Sequence, residues 1–140
     1  MRLLCCRVYT FGFDTIEAIA EQPLVVKAFD WDKLSFHDSL GDQTVALASL
    51  LPQLKAGERV PLTIELNDGQ KQLVAELEPS GTSASFSRQS GAIQLDLIRA
   101  EGLKAADKNG LSDPYVTVSI GDRTEKSKVF HKTLNPQFDW

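Results

Sequence analysis

Cysteine is nearly missing from this chain. The two present are neighbours, Cys5 and Cys6. Vicinal cysteines are poor partners for a structural bridge, so a disulfide-stapled scaffold is excluded and a reducing, cytoplasmic compartment is expected. Long apolar runs are missing as well. None approaches the roughly 20 residues that a bilayer-crossing helix needs, and the apolar start, residues 1–6, is too short for a secretory signal. There is no basic run, and the net charge is −4, which excludes a face for duplex nucleic acid. Sustained helical periodicity is also lacking. The two histidines and the cysteine pair have no nucleophile–base spacing, so no enzyme activity is expected.

What is present is short alternation. Hydrophobic residues make up 42% of the chain, enough for a packed core. Tyr9, Phe11 and Phe13 alternate with polar or small residues, as do Val60, Leu62, Ile64 and Leu66, then Leu73, Ala75 and Leu77. The same period of two returns in Ile93, Leu95 and Leu97 and in Val116, Val118 and Ile120. Leu24–Phe29, Thr44–Leu47 and Lys126–Phe130 read as further strands. Residues 47–54 read as a helical turn stopped near Pro52. Asn67-Asp68-Gly69 and Asn135-Pro136 mark turns. Many short strands between turn signals predict an all-β, antiparallel sandwich or barrel. Residues 78–90, rich in Ser, Gly and Thr, interrupt the pattern as a flexible linker. Residues 1–8 read as a lead-in. They are either a frayed end or, at Cys5 and Cys6, a lipidation site.

Five aspartates stand where alternating strands meet turns. Asp107 and Asp113 bracket D-K-N-G-L-S-D, directly before Pro114-Tyr115-Val116. Asp30 and Asp32 flank Trp31, and Asp38 follows six residues on. Carboxylates crowded at strand ends repel one another unless a cation sits there. Hard oxygen donors of this kind suit Ca²⁺. Single aspartates are ordinary turn residues, but five in two spaced clusters are not. An EF-hand is excluded because Gly110 comes too early and its twelfth position is Val118 rather than Glu.

Two longer motifs carry a resemblance. Residues 91–140 hold G-x-I-x-L-x-L, then D-x-N-G-x-S-D-P-Y-V and K-T-L-N-P, and resemble the first half of a C2 domain. Residues 9–77 hold LVVKAFDWDKLSFHDSLG and V-P-L-T-I-E-L, and resemble the second half. The resemblance implies a Greek-key β-sandwich of C2 type with its halves in inverted order. Two arrangements fit: a window across two tandem C2 domains, or one sandwich closed as a circular permutant. Closure is expected, because either half alone leaves bare sheet edges and a half-covered core. Exchange of halves between two chains is its rival.

The resemblance also implies a role: calcium-dependent binding to anionic phospholipid membranes, with the protein peripheral on the membrane. Asp30, Asp32, Asp38, Asp107 and Asp113 are the expected Ca²⁺ ligands, completed by backbone carbonyls near residues 104–106 and at Trp31. Leu34, Phe36 and Leu111 are expected membrane-contacting tips. Trp31 either joins them or packs sideways. Lys126, Lys128 and Lys132 match part of a phosphoinositide-binding patch, although Thr117 and Ser119 occupy places where that patch needs lysines. Set against this role are a calcium-independent protein-interaction module and a non-functional fragment of a tandem C2 protein.

Overall fold

The computed structural model describes residues 8–13, 18, 21–33, 37–66, 71–80, 91–103 and 110–138. Strand β4 (Val60–Leu66) shows how the alternation is used. Val60, Leu62, Ile64 and Leu66 are buried, while Pro61, Thr63 and Glu65 face solvent. A strand sends successive side chains to opposite faces, so one face is dry and the other wet. Pro61 has no ladder donor, and β4 is an edge strand, where that loss is tolerated.

The remaining strands are β1 (Val8–Phe13), β2 (Pro23–Asp30), β3 (Asp38–Ala46), β5 (Lys71–Ser80), β6 (Gly91–Glu101), β7 (Pro114–Ile120) and β8 (Arg123–Lys126). They form two four-stranded antiparallel sheets, in the orders β1-β6-β5-β4 and β3-β2-β7-β8. The inner faces meet in one core that includes Phe11, Leu24, Val26, Leu73, Leu95, Leu97 and Val118. This is an antiparallel β-sandwich of C2 type.

Each sheet draws strands from both sides of residues 81–90. β6 lies between β1 and β5, so Leu95 stands opposite both Tyr9 and Leu77. β7 lies between β2 and β8, with Val26 opposite Val118. Expected linker residues 78–80 belong to β5, and Ser80 pairs with Ala92. β5 and β6 are therefore sequential neighbours in one sheet.

Three local expectations change. Pro52 lies in the first turn of helix α1 (Leu51–Lys55), after a 3-10 turn at Leu47–Leu50. The first helical turn needs no amide donor there, so proline begins this helix rather than stopping it. β3 starts at Asp38 instead of Thr44, because backbone pairing with β2 holds a stretch with little apolar alternation. β8 ends at Lys126, so the strand expected over Lys126–Phe130 does not form.

Beyond Lys126 the chain becomes a strap. The amides of Ser127, Phe130 and Thr133 donate to the carbonyls of Val116, Pro114 and Ser112. Three strap residues thus match two on the β7 side, a spacing no regular ladder permits. The strap then crosses to the other sheet. Leu134 and Pro136 accept from the amides of Leu103 and Ala100, and the Phe138 amide donates to Ile98. Gln137 bridges Arg99 on the flank of β6 that β1 occupies lower down, where Val8 faces Asp96.

Candidate functional site

Strand pairing alone places three of the five aspartates at the same end of one sheet. Asp30 ends β2. It stands opposite Asp38, the first residue of β3, and opposite Pro114, the first residue of β7. Asp113 immediately precedes Pro114. One end of one sheet therefore carries Asp30, Asp38 and Asp113. A bulge helps to shape it. Gly41 pairs with Ala28 and Ser39 with Phe29, leaving Leu40 as the extra residue. Gly41 takes φ 133° there, a conformation that favours glycine. Bulges at sheet ends re-aim the side chains that follow.

Asp30 is 2% exposed. A carboxylate buried so deeply requires hydrogen bonds. Its Oδ1 accepts the Asp113 amide at 2.7 Å, while the Trp31 amide donates to the Asp113 carbonyl at 2.9 Å. The two loops are thus cross-tied through both main chain and side chain. Asp113 Oδ1 accepts the Lys132 amide at 2.7 Å and lies 3.6 Å from His131 Nδ1. Asp32 is half-buried and Asp38 exposed. Asp107 lies outside the described residues, as do the carbonyls of residues 104–106. Gly110, between Asp107 and Asp113, takes φ 79°. A side chain would have room there but would strain the backbone. Among the described residues, no group of three or more His, Cys, Asp or Glu converges closely enough to hold a metal ion.

An aromatic row lies against the aspartates. Phe29 stacks on Tyr115 with ring centroids 5.4 Å apart, as expected for an opposed pair on adjacent strands. The Tyr115 hydroxyl is hydrogen-bonded to His37 Nδ1. Burial raises the Tyr115 phenol pKa. Trp31 packs between the rings of His37 and His131, with centroids 6.5 and 5.8 Å away. The Trp31 ring is half-buried. Leu111 is also half-buried. Leu34 and Phe36 lie outside the described residues.

Two of the lysines lie over aromatic rings. Lys126 Nζ lies 4.4 Å above the Tyr115 ring, and Lys128 Nζ lies 5.1 Å from the Phe130 centroid. Lys132 turns the strap with φ 55°. The pairing adds a cation from β2. Thr117 stands opposite Lys126 on one side and Lys27 on the other. Alternation of Lys27 with buried Val26 and Ala28 was the available signal, because it places Lys27 on the outer face. Asp42 stands opposite Lys27 on β3. A cleft of about 660 Å³ opens at the far end of the sandwich, lined by Phe11, Pro23, Ile120 and Arg123 among others. Asp30, Asp32, Asp38 and Asp113 do not line it.

Comparison with known proteins agrees with this architecture. The sequence profile of the C2 domain matches residues 8–65 and 91–140. Mouse synaptotagmin-2 is 32% identical over 136 residues, covering 93% of this chain and 31% of that protein. Synaptotagmin-B of Diplobatis ommata is 29% identical over 128 residues, covering 88% of this chain and 28% of its own length. Mouse multiple C2 and transmembrane domain-containing protein 1 is 36% identical over 101 residues, 69% of this chain and 11% of that protein. The chain thus spans about a third of the length of the first curated relatives it matches. No solved structure matches it. With the profile aligned on both sides of residues 81–90 and the strands interleaved into one sandwich, the chain belongs to the C2 domain family.

Proposed function

We propose that this chain binds Ca²⁺ through Asp30, Asp32, Asp38, Asp107 and Asp113 and thereby docks on anionic phospholipid membranes. The observation that carries the reading is the register that gathers Asp30, Asp38 and Asp113 at one end of one sheet. Membership of the C2 family and similarity to synaptotagmins support it. The donor set fits the ion in kind: every proposed side-chain ligand is a hard carboxylate. Bound calcium would offset the repulsion among these carboxylates and offer coordination to lipid phosphate.

The chain's own residues prepare that seat. The Asp113 amide fixes Asp30, and the Lys132 amide fixes Asp113. Amide donors to a carboxylate are charge-assisted and directional, so two ligands are oriented before any ion arrives. Leu34, Phe36 and Leu111, with Trp31 beside them, are the proposed membrane contacts. The protein acts as a peripheral binding module rather than an enzyme. Its two halves, 9–77 and 91–140, work as one sandwich closed within the chain. The pairings of β6 with β1 and β5, and of β7 with β2, support that closure.

A phosphoinositide headgroup is a second proposed ligand of Lys126, Lys128 and Lys132. Lys27, opposite Thr117, supplies part of the charge that Thr117 and Ser119 do not. Each lysine near an anionic surface contributes on the order of 1 kcal/mol.

Sedimentation with vesicles of phosphatidylserine and phosphatidylcholine, in EGTA and in millimolar Ca²⁺, tests the main reading. Calcium-dependent pelleting, with a melting temperature raised by calcium, is the expected result. A cooperative melt unchanged by calcium, without pelleting, would overturn it in favour of a calcium-independent interaction module. No cooperative melt in either condition would identify a non-functional fragment.

A further inference from the structure

Lys132 is the one described residue other than glycine with positive φ, at 55°, a conformation that L side chains resist. It sits where the strap leaves one sheet for the other. The Thr133 amide next to it bonds Ser112 on the β7 side, and Leu134 and Pro136 already accept from Leu103 and Ala100. Asp113 holds this pivot. Its Oδ1 takes the Lys132 amide at 2.7 Å, and His131 Nδ1 lies 3.6 Å from the same oxygen. The Asp113 main chain is tied to Asp30 and Trp31. The freedom that remains is side-chain rotation, and the Lys132 amide restricts it.

We infer that the His131–Lys132 turn is a positioning element for the cation seat, and that cation occupancy at Asp113 is coupled through it to the strap's hold on both sheets. This inference rests on the calcium reading proposed above. The role belongs to the Lys132 backbone, not its ammonium. A carboxylate already held by a fixed amide loses less freedom when it meets an ion. Reciprocally, an ion that fixes the carboxylate steadies the Lys132 amide. By linkage, whatever the turn contributes to ion affinity, the ion returns to the turn. The strap amides at Thr133 and Phe138 lie along the same path.

Two substitutions separate backbone from side chain. Both Lys132→Gly and Lys132→Val remove the ammonium. Glycine accepts φ near 55°, whereas β-branched valine opposes it. Titration calorimetry of the 140-residue chain with calcium chloride should show the glycine variant binding about tenfold tighter than the valine variant, the ratio expected from the left-handed preference. Equal affinities, with wild-type binding intact, overturn this inference alone. A wild-type chain that binds no calcium overturns the calcium reading and this coupling with it.

If the valine variant fails to melt cooperatively, hydrogen exchange in EGTA decides. Asp113→Ala should speed exchange at the Lys132, Thr133 and Phe138 amides at least about tenfold, the effect of losing one charge-assisted bond, with Val118 unchanged. Exchange that stays the same at those three amides, or rises equally at Val118, refutes the coupling.

Discussion

The amide of Asp113 donates to the carboxylate of Asp30 across 83 positions of sequence, at 2.7 Å. One proposed ligand is thus a structural partner of another, and the two belong to opposite halves of the chain. The proposed binding chemistry and the tie between the two segments share these atoms, so substitutions here must be chosen to separate them.

Asp30→Ala and Asp30→Asn make that separation. Alanine leaves the Asp113 amide without its acceptor in a site where Asp30 is 2% exposed. Loss of about 1–3 kcal/mol is expected in EGTA, read from urea unfolding. Asparagine retains an acceptor oxygen and should lose less stability. Both variants should lose calcium binding. Equal stability of the two in EGTA would show that the hydrogen bond contributes nothing.

Asp32 lies two residues beyond the end of β2 and is half-buried. Asp32→Asn should abolish calcium-dependent vesicle binding and leave the EGTA melt within a few degrees of wild type. Normal pelleting of this variant would remove Asp32 from the ligand set.

Leu111→Ala with Phe36→Ala addresses membrane contact. Retention on vesicles should weaken, while calcium affinity in solution stays at the wild-type level. Half-burial of Leu111 sets a competing outcome. If it packs inward, the double variant loses melting temperature instead, and its calcium affinity falls as well.

Burial raises the Tyr115 phenol above its ordinary value of 10.0. The folded chain therefore holds this proton more tightly than the unfolded chain. The resulting stability is complete below pH 10 and declines as pH rises through the higher folded pKa. Urea midpoints for wild type should drop between about pH 9 and pH 11 more steeply than for Tyr115→Phe. Parallel slopes would show that Tyr115 ionises as an exposed phenol does.

Much of this architecture is legible in the chain, and the parts that are not have physical reasons. Period two marks β4 clearly because its inner and outer residues differ in polarity at every step. The aspartates at the ends of β2 and before β7 are equally visible. β3 is not, since only Leu40 and Gly41 are buried in a strand held mainly by its ladder to β2. The strap is invisible too. Three residues against two leaves no period, and a left-handed lysine has no compositional mark. Lys27 was legible as outward-facing but not as lying across Thr117 from Lys126, because register across distant strands is a tertiary fact. Asp107, Leu34 and Phe36 lie outside the described residues and stay proposals.

Along β6, Gln137 faces Arg99 and Val8 faces Asp96. Three strand positions at roughly 3.4 Å each leave about 10 Å between them. One flank of β6 is thus covered first at Arg99 by the strap and then, from Asp96 down to Gly91, by β1.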